Sequence, residues 1–164
     1  MVMNCCFKAG LYAQGLLHDL SKYSPEELRE GFIYWKGTES PNNPARMETG
    51  YSEAWLHHKG RNKHHFEYWI DYKPGSKMII EGVDMPRKYI AEMVCDRIAA
   101  SKNYNGAAYT QADPYNYYIR SEKRLWFVSK RTKKHLKFLL KMVRDEGEDR
   151  TLKYIRNVYL KKKA

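Results

Sequence analysis

Gly15-Leu16-Leu17-His18-Asp19-Leu20-Ser21-Lys22 is the stretch of sequence on which the fold prediction rests. Apolar residues before it recur at helical spacing, so Cys5 to Lys22 is predicted to form a helix packed on more than one side. The helix ends in a histidine followed directly by an aspartate, and a lysine lies one helical turn after the histidine. An imidazole, a carboxylate and an ammonium group are therefore expected to lie close together.

Histidines are concentrated in the first half of the chain. Five of the six lie between His18 and His65, and four of these form the adjacent pairs His57-His58 and His64-His65. Imidazoles crowded together with carboxylates cannot all be protonated without repulsion, whereas a divalent cation is bound by neutral nitrogen and anionic oxygen. The cluster predicts a metal site, although such pairs can also supply one core and one surface histidine.

A later helix offers another candidate ligand, Asp96. From Pro86 to Ile98 the apolar residues follow a helical pattern, and Glu92 and Asp96 lie on the same face. An unpaired carboxylate beside a hydrophobic stripe would be costly to bury. We therefore expect Asp96 to have a cationic partner.

The remaining pattern predicts an all-α protein of about six to seven helices. Ser24-Pro25-Glu26-Glu27 is typical of a capped helix start, and that helix is expected to run to about Trp35. Gly37 to Gly50 is dense in turn residues and predicts a long loop after the second helix. Asn103 to Tyr118 is also predicted to be mainly loop, and two C-terminal helices are expected to separate at Gly147.

Length and charge predict one domain with a basic end. The 164 residues are 43% hydrophobic, which suits a single domain over 1–164. Residues 120–164 carry 16 Lys and Arg against 5 Asp and Glu, so these C-terminal helices hold the whole net charge of +11. Such a surface can bind nucleic acid, an acidic partner or an anionic substrate, or it can simply be a solvated face.

The cysteines and the hydropathy pattern favour a soluble cytoplasmic protein. Cys5, Cys6 and Cys95 are an odd number of cysteines, which is not typical of a disulfide framework, and we expect reduced thiols. Cys95 lies in an apolar run and is interpreted as a small buried hydrophobic residue. No apolar stretch reaches the length of a membrane span, so no membrane partner is expected.

The stretch from Gly15 to Lys22 resembles the signature of the HD-domain metal-dependent phosphohydrolases. In that superfamily an upstream histidine, the His-Asp pair and a distant aspartate hold a metal, and binuclear members add histidines in between. The resemblance implies an HD-like helical domain. It implies metal ligands among His18, Asp19, Asp96, His57, His58, His64 and His65.

The resemblance extends further along the chain but departs at one point. Gly50 to Trp69 is similar to the corresponding part of a small bacterial and phage family of HD-like proteins. The first histidine of the superfamily should precede His18, yet residues 1–17 contain none. Either the later histidines complete the site, or a short N-terminal segment is missing.

The function implied is metal-dependent hydrolysis of a nucleotide or another phosphate ester. Asp19 and Lys22 are the candidate catalytic residues, and the metal is expected to be one or two divalent ions of manganese, iron, nickel, cobalt or zinc. Glu67 is a candidate for orienting an imidazole. The substrate phosphate is expected to meet Lys22, Lys59, Arg61 and Lys63.

Two other functions remain open from the sequence. The chain could be a non-catalytic nucleic-acid-binding protein that uses the basic helices from Arg120 to Lys163, with structural histidines. That function predicts an affinity that falls steeply with salt and does not depend on metal. A metal-binding protein without turnover is the third possibility.

Overall fold

The fold is built almost entirely from helices, which confirms the predicted all-α class. The computed structural model describes residues 1–37 and 40–161, and within them it contains nine α-helices and one two-stranded antiparallel sheet. The helices are α1 Val2–Lys8, α2 Tyr12–Leu17, α3 Pro25–Tyr34, α4 Asn42–Thr49, α5 Glu53–Arg61, α6 Arg87–Asn105, α7 Asp113–Glu122, α8 Lys130–Glu146 and α9 Glu148–Tyr154. The strands are β1 Ile70–Tyr72 and β2 Ile80–Gly82.

The hydrophobic core forms around α6. Ile90, Val94 and Ile98 of α6 are almost completely buried, and the helix packs against α1, α7 and α8. The facing side of α8 contributes Leu136 and Leu140, which recur at helical spacing and are fully buried. One continuous core therefore joins the N-terminal and C-terminal helices into a single domain.

The first predicted helix is interrupted, so the prediction of one helix from Cys5 to Lys22 is wrong. Helix α1 ends at Lys8, and Gly10 has a φ of +77°, which glycine adopts without steric cost. The chain then reverses, and α2 packs back against α1 before it ends at Leu17. His18 and Asp19 follow the last turn of α2, outside any regular helix.

Two predicted loops contain helices. Gly37 to Gly50 includes α4, whose Pro44 occupies the first turn, where a missing N–H group is tolerated. Asn103 to Tyr118 includes the end of α6 and most of α7, with Pro114 at the start of α7. Thr38 and Glu39 of the first loop lie outside the described residues. These segments account for part of the excess over six to seven helices.

Several local predictions are confirmed. The Ser24 hydroxyl accepts a hydrogen bond from the Glu27 backbone N–H (3.4 Å) at the start of α3, and Gly147 separates α8 from α9. Cys95 is fully buried, and all three cysteines are free. No helix among the described residues is both long enough and apolar enough to cross a membrane. The closing residues 162–164 lie outside the described part of the chain.

Candidate metal centre

The candidate site lies where five segments of the chain meet. The turn after α2 supplies His18 and Asp19, and α5 supplies His58. The short loop after α5 supplies His64 and His65, and α6 supplies Glu92 and Asp96 from one face. Glu27 of α3 lies behind α5. The site is thus formed by helices, a turn and a loop, although its candidate ligands are distant in sequence.

Asp19 is at the centre of the cluster. One of its carboxylate oxygens, Oδ1, lies 3.3 Å from His58 Nε2 and 3.4 Å from His64 Nε2. The other oxygen, Oδ2, lies 3.2 Å from His18 Nε2 and 2.6 Å from Lys22 Nζ. Asp19, His58, His64 and His65 each offer a donor atom, and these four atoms lie within 4.8 Å of one another. Their spacing is that of ligands around a metal ion.

A second group of donors shares Asp19 with the first. It consists of His18, Asp19 and Asp96, whose donor atoms also lie within 4.8 Å of one another. His18 Nε2 is 3.6 Å from Asp96 Oδ1. Because Asp19 belongs to both groups and has two oxygens, the cluster has donors for one ion or for two adjacent ions.

The donor atoms of this cluster are buried without hydrogen bonds. Within residues 1–37 and 40–161, His18 Nε2, Asp19 Oδ1, His64 Nε2 and His65 Nε2 have no hydrogen-bond partner. A buried polar atom without a partner costs about 1–3 kcal/mol, so four in one place require an explanation. Cations bound by the two donor groups would satisfy all four atoms, because each atom can present a lone pair to a metal ion. The residues present therefore fit a metal ion.

Carboxylates behind the imidazoles fix their orientation. Glu92 Oε1 accepts a hydrogen bond from His18 Nδ1 (3.1 Å) and lies 3.3 Å from His64 Nδ1. Glu27 accepts a hydrogen bond from His58 Nδ1 at 2.8 Å. With Nδ1 protonated and bound to a carboxylate, the Nε2 lone pair of each ring faces the centre of the cluster. Metal-binding histidines usually have this arrangement.

The ionisation of the cluster also favours a cation. Burial opposes the charged form of His18, yet the nearby carboxylates of Asp19, Asp96 and Glu92 raise its pKa to about 11. Burial would raise the pKa of Asp19, but His18, His58 and Lys22 hold it well below its usual value. The carboxylates are therefore ionised, and the metal-free cluster retains a proton on His18. A divalent ion can supply that positive charge instead.

His65 differs from the other imidazoles of the cluster. Burial, followed by repulsion from His64 and His58, lowers the pKa of His65 to about 3. Its ring centroid lies 4.3 Å from that of His64 and 4.8 Å from that of His58. His65 is therefore neutral at physiological pH, which is the form that binds a metal.

The backbone of Asp19 has an uncommon conformation. Asp19 has φ 57° and ψ 24°, and it is the sole non-glycine residue with positive φ in the described parts of the chain. Aspartate tolerates this left-handed region better than most residues, but it is still uncommon. Such outliers cluster at ligand sites, where the surrounding structure holds them in place. The turn directs Asp19 towards the histidines of α5 and of the following loop.

An open cleft of about 680 Å³ leads to the cluster. Asp19, His58, His65 and Asp96 line its inner end, and Lys22 lies at the edge with 61% of its side chain exposed. The walls away from the metal donors come from α3, α5, α6 and the segment before α4. They consist of Leu28, Gly31, Phe32, Trp35, Ser40, Pro41, Asn42, Ala54, Trp55, Ala100, Asn103 and Tyr104. A cleft of this size accommodates a small molecule.

The structure brings together six of the seven predicted metal ligands. His18, Asp19, His58, His64, His65 and Asp96 all belong to the donor groups. His57 lies elsewhere, because its Nδ1 is 2.8 Å from Glu27 Oε1 and its Nε2 is 3.6 Å from Glu26 Oε2. Later histidines thus supply donors to the cluster, which is one of the two alternatives that the sequence left open.

The predicted substrate-binding cations are divided. Lys22 lines the cleft, whereas Lys59, Arg61 and Lys63 are not among its lining residues. The ammonium group of Lys63 lies 5.6 Å from the ring centre of Tyr68. Of the four cations predicted to bind the substrate, Lys22 alone lines this cleft.

Sequence reasoning missed the roles of Glu27 and Glu92 as supports for imidazoles. Glu67 is the sequence candidate for orienting an imidazole, but the carboxylates that hydrogen-bond to the site imidazoles are those of Glu92 and Glu27. The shared face of Glu92 and Asp96 was a usable signal for Glu92. The sequence signal for Glu27 was weaker, because its position at the start of α3 also explains it as a capping residue.

Fold and site together define the class: an all-α protein with a buried histidine and carboxylate cluster that could hold a metal ion. The chain belongs to the DUF5662 family, a family of unknown function whose model matches residues 1–142. No curated protein and no solved structure matches the chain significantly. The matched region contains every residue of the candidate metal centre and ends within α8.

Proposed function

We propose that this protein is a metal-dependent phosphohydrolase of the HD type that acts on a nucleotide or another small phosphate ester. The observation that carries the proposal is the group of four buried donor atoms without hydrogen bonds, on His18, Asp19, His64 and His65. The resemblance of Gly15 to Lys22 to the HD signature supports it independently. So does the position of Asp96, which shares a donor group with the His-Asp pair.

The residues of the site have two proposed roles, binding of the metal and orientation of the imidazoles. Asp19, the imidazoles and Asp96 would hold one or two divalent ions of manganese, iron, nickel, cobalt or zinc, since these metals accept nitrogen and carboxylate ligands. A bound ion of this kind acidifies water and neutralises phosphate charge. Glu92 and Glu27 keep the Nδ1 protons of their imidazoles away from the ligand side.

Lys22 is the residue we assign to the substrate phosphate. Its ammonium group lies 2.6 Å from Asp19 Oδ2, and most of the side chain is exposed at the edge of the cleft. Asp19 therefore holds the ammonium group beside the metal donors, where a phosphate oxygen can accept a hydrogen bond from it. Asp19 and Lys22 remain the proposed catalytic residues, while Lys59, Arg61 and Lys63 could act only as a more distant basic rim.

Adjacent histidines provide a matched test of turnover. His58 belongs to the metal donors and His57 does not, although both contact Glu27. We expect manganese-loaded wild-type protein to hydrolyse a phosphomonoester or phosphodiester from a general screen. His58→Gln should lose at least 100-fold in rate, and His57→Gln should remain within a few fold. Equal rates in both variants, or no hydrolysis with any of the five metals, would overturn the proposal.

Binding of nucleic acid is the second candidate function, and α8 favours it. Lys130, Lys134, Lys137, Lys141 and Arg144 recur every three or four residues and therefore share one face of the helix, about 21 Å long. All except Lys137 are classed as exposed, and the Lys137 side chain is 44% exposed. A basic stripe of this length can follow a phosphate backbone.

The nucleic-acid function makes its own prediction. Affinity for a labelled single-stranded oligonucleotide should fall steeply with salt and should not change when metal is removed. Replacing Lys130, Lys134 and Lys141 by Gln should reduce the slope of log affinity against log salt by about 2. The control replaces Lys73 and Lys77, which lie in the turn between β1 and β2. An equal loss in the control would show non-specific charge binding only.

A further inference from the structure

The cleft has an aromatic outer half that the proposed function does not explain. Phe32 of α3 and Trp35, the residue directly after α3, line it with 82% and 60% of their surface exposed. Tyr104 lines it from α6 with 61% exposed. Single exposed aromatic residues are common, but several that line one cleft form an apolar surface of the kind that marks a ligand-binding groove. These rings are not part of the metal centre.

The two helices place the aromatic half at a fixed distance from the metal donors. Along α3 the lining residues run from Glu27, behind the histidines, to Trp35, a rise of about 12 Å. Along α6 they run from Asp96 to Tyr104, also about 12 Å. The cleft is thus a groove with metal donors at one end and aromatic rings at the other.

Gly31 lies in the middle of the α3 wall. No described atom lies within 4 Å of the position that a Cβ atom would occupy there, so the space above Gly31 is open. Glycine inside a helix weakens the helix relative to alanine, and neither a turn nor a positive φ requires one here. What the glycine provides is room between Phe32 and the opposite wall of the groove.

We propose that this groove selects phosphate esters whose organic part is a planar ring, and that Gly31 is the specificity-determining residue. The ring lies over Gly31 and contacts Phe32, Trp35 and Tyr104, while the phosphate reaches Lys22 and the metal donors. A nucleobase and a simple aryl group have the same flat, polarizable faces and are the two possible sources of the ring. The inference rests on the proposed function for the position of the phosphate.

A matched pair of ligands tests the ring preference without turnover. Phenylphosphonate and cyclohexylphosphonate have the same charge and nearly the same size, and their C–P bonds resist hydrolysis. Binding to the manganese-loaded protein is followed by calorimetry and by tryptophan fluorescence. We expect phenylphosphonate to bind about 2- to 10-fold more tightly, which corresponds to an aromatic contact.

Two glycines provide the matched variants. Gly60 is also helical, has open space around it and does not line the cleft. Gly31→Leu should weaken binding of both phosphonates at least 10-fold, whereas Gly60→Leu should leave binding unchanged. Phe32→Leu should abolish the preference for phenyl over cyclohexyl. Circular dichroism of each variant verifies the fold, so loss of binding is not mistaken for unfolding.

The source of the ring is distinguished by two further pairs of ligands. Adenosine monophosphate against ribose 5-phosphate reports a nucleobase, and phenyl phosphate against cyclohexyl phosphate reports a simple aryl group. A ring preference in either pair supports the groove. Equal affinity within both pairs, or wild-type affinity in Gly31→Leu, would overturn it.

Failure of the groove and failure of the proposed function give different results. Ring-selective binding of the phosphonates without hydrolysis of any ester would support the proposed ring preference of the groove and contradict the proposed hydrolase function. Hydrolysis of all esters at equal efficiency, with no ring preference in binding, would support the hydrolase function and contradict the proposed ring preference of the groove.

Discussion

At the scale of single residues, the candidate centre depends on a carboxylate, that of Glu92, which is not among the residues that line the cleft. Glu92 is buried and contacts the Nδ1 atoms of both His18 and His64, so one carboxylate sets the orientation of two candidate ligands. Removing its charge would free both rings to rotate and would lower the basicity of their Nε2 atoms. Changes to such supporting groups typically cost 10- to 100-fold in metal affinity.

Glu92→Gln tests this role directly. We expect manganese affinity, measured by calorimetry, to fall by about 10- to 100-fold while the protein remains folded. Glu122→Gln serves as a control, because Glu122 pairs with Lys137 on α8. Unchanged affinity in Glu92→Gln would mean that His18 and His64 need no support from α6.

Binding of metal should release a proton from His18. In the metal-free protein the pKa of His18 is about 11, raised above its ordinary value of 6.5 against the effect of burial by the contacts with Asp19, Asp96 and Glu92. The stabilising contribution of that proton is therefore complete below about pH 6.5 and is lost as the pH rises through about 11. At pH 7.5 a metal must displace it.

The proton can be counted by calorimetry in two buffers of different ionisation enthalpy. We expect release of about one proton for each protein molecule that binds metal, and an affinity that rises with pH across the neutral range. His18→Gln should bind metal more weakly and release less than one proton. No release from the wild-type protein would show that the metal does not use His18 Nε2.

Most of the candidate ligand residues could be predicted from residue types together with the resemblance to the HD signature. The His-Asp pair, Asp96 and the paired histidines stand out because imidazoles and carboxylates in apolar surroundings need a cation. The distinction between His57 and His58 could not be predicted, since it depends on which ring faces Asp19 across 39 residues of chain. Glu27 was hidden for the same reason, because its contact with His58 joins positions 31 apart.

At the scale of the elements, two glycines have opposite effects on stability. Gly10 has φ +77° between α1 and α2, and a Cβ atom there would lie 3.0 Å from Arg156 Cγ. Gly31 lies inside α3 with open space around its Cβ position. The first glycine is required by the backbone, whereas the second weakens its helix.

Alanine at each glycine should separate these effects in urea unfolding. Gly10→Ala should lower the free energy of unfolding by about 1–2 kcal/mol, because alanine in the left-handed region is strained. Gly31→Ala should raise it by about 0.5–1 kcal/mol. Gly60→Ala, in the open part of α5, should behave like Gly31→Ala. Destabilisation by Gly31→Ala would show that the glycine has a structural role in α3.

Helix caps could be predicted from the sequence, but helix breaks and turn-rich helices could not. Ser24 and Gly147 act locally, so their positions identify the start of α3 and the boundary between α8 and α9. The break at Gly10 was missed because glycine also occurs within helices, as Gly31 does. Helix α4 was missed because asparagine and proline are as common in loops as in the first turn of a helix.

At the scale of the whole molecule, a bound metal would join segments that are far apart in the chain. Its ligands come from the turn after α2, from α5 and the loop behind it, and from α6. A ligand that binds the folded state alone stabilises it in proportion to the logarithm of its concentration. At about 100 times the dissociation constant the gain is about 2.7 kcal/mol.

Metal removal should therefore lower the melting temperature. For a chain of this size, treatment with a chelator should reduce Tm by about 5–10 °C relative to the manganese-loaded protein, and added manganese should restore it. Scanning calorimetry of wild-type, His57→Gln and His58→Gln proteins measures this. A shift of equal size in His58→Gln would place the stabilising metal elsewhere.

The basic stripe of α8 does not line the cleft and supplies none of the candidate metal donors. The leucines of α8 belong to the hydrophobic core, and the lysines of the stripe lie on another face of the helix. The candidate centre and the basic stripe are therefore separate surfaces, and a variant of one should leave the other intact. Charge asymmetry in the sequence indicated the stripe, but only the helix face shows which lysines are aligned.

The measurement that tests the metal centre most directly is the metal content of the purified, untagged protein by plasma mass spectrometry. It is made on wild-type, Asp19→Asn, His58→Gln and His57→Gln proteins. Asn tolerates the left-handed backbone of residue 19, so the first variant changes the carboxylate alone. We expect a near-stoichiometric divalent transition metal in wild-type and His57→Gln proteins, and its loss in Asp19→Asn and His58→Gln. No bound metal in the wild-type protein, even after incubation with manganese or iron, would contradict a metal centre at Asp19.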